Sequence, residues 1–227
     1  LYWTLESRDR GCRQKAYHVL VSSSAGLLAS GIGDLWDSGR VESGASVHVE
    51  YGGEPLVSGM RCFWKARVWD ELGKSSPWSA PAKWEMGLLK KEDWKAEWIG
   101  HDCPAAPLFR REFIAGKKIS RARAYICGLG YHELYLNGKK VGDHVLDPGQ
   151  TDYEERALYV IHDVTKYLRR GKNAAGVMLG DGWYNQRAVN EAKYGWGDVV
   201  YGDPRFIFQM SIEYADGSEE IVVSDDN

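Results

Sequence analysis

The sequence predicts an all-β protein, and three observations carry that reading. Short runs of alternating apolar and polar residues recur along the chain; Gly, Asp, Asn and Pro punctuate them; and no segment sustains a helical period over a useful length. With 227 residues, 44% of them hydrophobic, the chain is long enough for two ordinary domains with their own cores.

In the first half the runs Ala16–Ser22, Ser46–Tyr51 and Arg61–Asp70 read as strands, separated by turns at Gly31–Gly33, Gly52–Gly53 and Glu71–Gly73. Ser22, Ser23 and Ser24 read as loop. Within Arg61–Asp70, period-two alternation places Cys62, Trp64, Ala66 and Val68 on a core face. Phe63, Lys65, Arg67 and Trp69 fall on the opposite, solvent face, where Trp78 of the following Ser76–Ser79 segment is expected to complete a cation–π stack. The pattern stops after Met86. A charged stretch with Trp94 and Trp98 follows, which sets the domain boundary between Gly87 and Trp98 and divides the chain into residues 1–89 and 90–227. Two tryptophans in a linker imply that it packs at the junction instead of acting as a tether.

In the second half, strands are expected at Leu108–Phe113, Ala122–Ile126, Tyr131–Leu136, Leu158–Ile161, Ala174–Leu179, Arg205–Tyr214 and Ile221–Val223. Asn137-Gly138 suits the positive φ angles of a type I′ hairpin, and Pro148-Gly149 and Asp216-Gly217 mark further turns. Asp163 can cap a short helix from Val164 to Arg170, closed by Gly171. The connection from Gly180 to Pro204 is too long for an ordinary loop and carries Trp183, Tyr184, Tyr194, Trp196 and Tyr201.

Composition removes several functions. The net charge of -3 gives no field for nucleic acid or an anionic membrane, and no apolar run approaches a membrane span. Cys12, Cys62, Cys103 and Cys127 lack metal or disulfide spacing; they read as buried free thiols, with a Cys12–Cys62 bridge as the minor alternative. Ten Trp and thirteen Tyr against five Phe favour polar-tipped rings, which serve large cores and also stack on sugars. His132-Glu133 opens like a metalloprotease motif, but position 136 is Leu136 and the segment is a strand. Gly128-Leu129-Gly130 lacks the rest of a dinucleotide fingerprint, and there is no Gly-x-Ser-x-Gly elbow. Adjacent carboxylates such as Glu154-Glu155 and Asp225-Asp226 read as solvated surface, so no catalytic residue is assigned.

The segments Ala16–Ser22, Leu35–Gly39, Trp64–Asp70 and Ser76–Ser79 resemble the fibronectin-like leader of bacterial α-L-rhamnosidases of glycoside hydrolase family 78. Trp94–Ile99, Leu108–Phe113, Leu134–Gly138, Asp147–Gly149 with Thr151–Tyr153, and Leu179–Tyr184 resemble that family's N-terminal β-sandwich in order and spacing. The resemblance implies a fibronectin type III-like β-sandwich followed by a jelly-roll-like β-sandwich. It also implies that an inverting, rhamnose-releasing (α/α)6 catalytic domain is the natural partner and is missing here, so the fragment should be inactive. The first residue, Leu1, is expected to follow a removed start or leader segment. Localisation stays open between cytoplasm and export, with a lean to the cytoplasm.

Two roles remain. The preferred one is a spacer that supports the catalytic domain, with no cofactor required. The other is a calcium-dependent L-rhamnose binder, because the equivalent sandwich in some family members looks like one. For that role Trp183 or Trp196 would be the aromatic plate, with Tyr184, Asn190 and Asp198 beside it, and Asp143 and Asn185 would be oxygen ligands for calcium.

Overall fold

The computed structural model describes residues 1–8, 10–101, 106–186 and 201–225. Contacts divide the chain into two compact units, Leu1–Asp93 and Trp94–Asn227. The protein is nearly all β, and every paired ladder is antiparallel.

The first unit is organised on β1 (Gln14–Ser22) and β4 (Arg61–Asp70), which pair along most of their length. The short strands β2 (Trp36–Asp37) and β3 (Val41–Glu42) pair with β1, and β5 (Ala82–Glu85) pairs with β4. Val19, Val21, Cys62 and Ala66 form the buried centre of one face, with Trp3, Trp36, Tyr51, Trp64 and Trp84 packed around them. The layer over that face is irregular where Ser46–Tyr51 was expected to be a strand. His48 takes a φ of 55°, and the neighbouring backbone is held by the N-terminus instead, with Leu1 and Val49 exchanging N–H···O bonds.

The opposite face of β4 corrects the solvent-face expectation. Lys65 is only 9% exposed, its Nζ donates to Leu28 O at 2.7 Å, and it lies 5.0 Å from the Trp78 ring. The cover is α1 (Ala25–Ala29), which follows directly on the Ser22–Ser24 stretch read as loop. Ser24 Oγ caps it by accepting from Leu27 N, and it buries Leu28. The expected stack is present, with the Arg67 guanidinium 4.0 Å above Trp78 and 5.9 Å from Trp69. His18 of β1 adds a tilted contact to Trp78 at 5.0 Å. Cys12 is an exposed thiol and Cys62 a buried one, so the two are not bridged. Cys103 lies outside the described residues.

The second unit is two facing sheets. One runs β10 (Lys139–Lys140), β9 (Tyr131–Leu136), β12 (Gly171–Gly180), β7 (Leu108–Ala115). The other runs β11 (Val160–Asp163), β8 (Ile119–Leu129), β13 (Arg205–Tyr214), β14 (Glu219–Val223), with β6 (Ile99–Gly100) also on β13. The chain passes repeatedly between the sheets, as in a jelly roll. Leu134, Leu136, Val177 and Leu179 from one sheet meet Ala124, Ile126, Phe208, Met210 and Ile212 from the other. Each fully buried Leu, Ile or Met contributes about 1.5–3 kcal/mol.

Two local devices set the register. Asn137 and Gly138 take φ of 51° and 79°, as the β9–β10 hairpin requires. The β8–β9 corner is Gly130 (φ 113°), where a Cβ would lie 2.2 Å from Gly180 O. Residues 164–170 are shorter in helix than expected, a 3-10 turn at Thr165–Tyr167. Asp163 Oδ1 accepts from Thr165 N, but Asn173 Oδ1 takes the Arg169 N–H, drawing the chain out of the helix into β12. Trp94 packs edge-on against Tyr125 and Tyr159 inside this unit, whereas Trp98 is 43% exposed. Residues 95–97 are fastened to β13 and to Ser224, through Lys95 N to Gln209 Oε1 and Glu97 N to Ser224 O.

Candidate functional site

Beyond β12 the chain turns sharply through Asp181–Tyr184. Gly182 (φ 53°) permits it, since a Cβ there would come within 3.1 Å of Tyr131 N. Asn185 N donates to Asp181 O at 3.2 Å and Asn185 Nδ2 to Asp181 Oδ1 at 3.3 Å, so the amide braces its own turn. Trp183 points outward at 48% exposure. Tyr184 is engaged in a ring cluster, stacked on Tyr201 at 5.8 Å and edge-on to Tyr153 at 5.2 Å. Burial holds the Tyr153 hydroxyl above the ordinary phenol range.

Asp143 is exposed in the turn that follows β10. Trp196, Asn190 and Asp198, with Tyr194, lie outside the described residues. Among the described residues no group of three or more His, Cys, Asp or Glu side chains is arranged to hold a metal ion. Of the expected sugar-binding set, the structure therefore presents one exposed plate, Trp183, beside a tyrosine cluster.

A second constellation was not anticipated. His132, on the inward face of β9, is 5% exposed, and neither ring nitrogen has a hydrogen-bond partner. Burial pushes its pKa down to about 4. Its backbone N–H donates to Asp147 O at 2.8 Å. The Asp147 carboxylate meets His144 Nδ1 at 2.8 Å, and the His144 ring lies 5.6 Å from that of His162 on β11. Burial, with His144 nearby, also lowers the His162 pKa. Sequence gave no signal for this grouping, because its members come from β9, β11 and the segment between them.

The fold defines a class: an all-β chain of two modules. Residues 117–227 match the family described as the α-L-rhamnosidase N-terminal domain, and residues 1–90 match the Rha78A-like N-terminal immunoglobulin domain. The chain is thus an N-terminal region of the α-L-rhamnosidase family. It is 38% identical to an α-L-rhamnosidase of Formosa agariphila, a match covering 99% of this chain and 26% of the relative. The α-L-rhamnosidase structure from Dictyoglumus thermophilum superposes with a TM-score of 0.87 at 43% identity, over 99% of this chain and 26% of that one. That of Streptomyces avermitilis, complexed with L-rhamnose, gives 0.90 at 25% identity, over 99% and 38%. The curated Streptomyces avermitilis relative aligns over 398 residues against the 227 of this chain, so it carries additional sequence inside the matched region.

Proposed function

We propose that this chain is the non-catalytic accessory region of an α-L-rhamnosidase, supporting an (α/α)6 catalytic domain that removes terminal L-rhamnose. The observation that carries the reading is coverage: nearly all of this chain aligns with about a quarter of two full-length relatives, through modules described as N-terminal. The electrostatics agree. Glycoside hydrolysis needs one carboxyl held protonated by a raised pKa. Among the described residues, the carboxylates with a resolved shift are held low by hydrogen bonds and cations: Asp34, Asp37, Glu71, Asp93, Glu112, Glu133, Asp163 and Asp216. The test is to express the catalytic remainder of the parent enzyme with and without this region; its thermal stability should fall when the region is removed. An unchanged melting temperature and unchanged turnover would remove the supporting role.

Calcium-dependent binding of L-rhamnose is the competing reading, and the exposed Trp183 is the feature that favours it. Titration of this chain with L-rhamnose, with and without calcium, separates the two roles.

A further inference from the structure

Buried polar atoms in a native interior are almost always paired, so an imidazole with two orphan nitrogens calls for an explanation. We propose that His132 and His162, gathered around Asp147, form an acid-sensitive latch that keeps the segment 142–149 closed on β9 while both rings are neutral and releases it when they take up protons.

The latch is fastened at two ends and braced within the segment. The segment is fastened to β9 by the bridge between His132 and Asp147, with its 2.8 Å N–H···O bond. At the other end Gly142 (φ 73°) lies against the His162 ring, where a Cβ would sit 3.3 Å from Cε1, and its N–H donates to Tyr167 Oη at 3.2 Å. Between them, His144 holds the Asp147 carboxylate.

The charges facing His132 cannot accommodate two added protons. Among the described residues, Asp147 is the one carboxylate acting on both rings, and it is shared with His144. The Lys140 ammonium on β10 also acts on Asp147, while itself paired with Glu133. From β8 the neighbour is Gly128, where a Cβ would lie 3.0 Å from His132 Nδ1, and neither ring nitrogen has a hydrogen-bond partner. Protonated His132 would be a cation without a hydrogen-bond acceptor, and protonated His162 would face His144.

The sign follows. When the segment opens, an imidazole recovers its ordinary affinity for protons near pH 6.5, whereas closed His132 refuses one until about pH 4. The closed form therefore has its full advantage above pH 6.5. It loses on the order of tenfold per pH unit below that, through His132 alone.

Hydrogen exchange on the intact chain tests this, using protection factors at about pH 7.5 and about pH 5 to remove the intrinsic pH dependence of exchange. Amides of 142–149 and of the start of β9 should lose roughly tenfold or more in protection relative to β13, and His132→Leu should hold that change to about twofold. An equal loss in β13, or an undiminished loss in His132→Leu, overturns the latch. Should His132→Leu not fold, His162→Gln should shrink the effect, and an unchanged effect counts against it. An NMR titration of the unaltered chain decides independently: His132 titrating at or above pH 6.5 refutes the proposal.

Discussion

Asn173 is a polar side chain, 3% exposed, at the heart of the second unit's lower edge, and its replacement should be among the costliest single changes there. Its Nδ2 donates to Arg169 O at 2.7 Å and Gly171 O at 2.9 Å; its Oδ1 accepts from Arg169 N at 3.0 Å and from Asn137 Nδ2 at 2.8 Å. Asn137 in turn donates to Tyr167 O and accepts from Ala174 N, so the β9–β10 hairpin, the 3-10 turn and the start of β12 are tied together. Four bonds at about 0.5–1.5 kcal/mol net each give roughly 4 kcal/mol for Asn173→Ala, since some stranded groups recover water at the edge. Urea denaturation followed by a probe in the second unit should register that loss, and the melting temperature should fall by roughly 10–15 °C. Asn173→Asp keeps the two bonds accepted by Oδ1 but turns a carboxylate oxygen toward the Arg169 and Gly171 carbonyls in a buried site, so it should cost at least as much as Asn173→Ala near neutral pH. A loss below about 1 kcal/mol for Asn173→Ala would refute the claim that this amide organises the edge.

In the first unit, Lys65→Met keeps the stem but loses the bond to Leu28 O and the contact with Trp78, which should cost about 1–2 kcal/mol by denaturant titration. Gly130→Ala should destabilise the second unit by more than about 2 kcal/mol, because the methyl meets Gly180 O and the φ is unfavourable; Gly176→Ala, whose nearest neighbour is Phe109 O at 3.5 Å, should be within about 1 kcal/mol of the parent. Acid should weaken the second unit: His132 has its folded pKa depressed, so its contribution is complete above pH 6.5 and falls by about 3 kcal/mol as pH drops to about 4. Stability measured across that range should flatten by a similar amount in His132→Leu.

The strands that announced themselves in sequence did so through clean alternation. Arg61–Asp70 and Arg205–Tyr214 are each found with those bounds, because their residue types alternate with a period of two, although both faces are partly covered in the fold. The failures share a cause, namely partners distant in the chain. Ser46–Tyr51 alternates like a strand, but His48 breaks the extended backbone and the segment is held by Leu1. Ser24 and its five-residue helix are too short to show a period, yet they decide that Lys65 is buried. The stack of Arg67 on Trp78 was legible because a short connection and a known face left few alternatives. The candidate sugar site was legible only as composition; Trp183 is exposed, while Tyr184 is taken up by Tyr153 and Tyr201, contacts that no spacing predicts. His132 was set aside for its motif, and its significance arises from His162 and Asp147, which adjoin it only in the fold.

The most direct test of the accessory role is a hydrolysis assay of the purified chain on an aryl α-L-rhamnoside. With no carboxyl here assigned as catalytic acid, release should be indistinguishable from buffer at every pH tried. Turnover that co-purifies with the chain and scales with its concentration would contradict it.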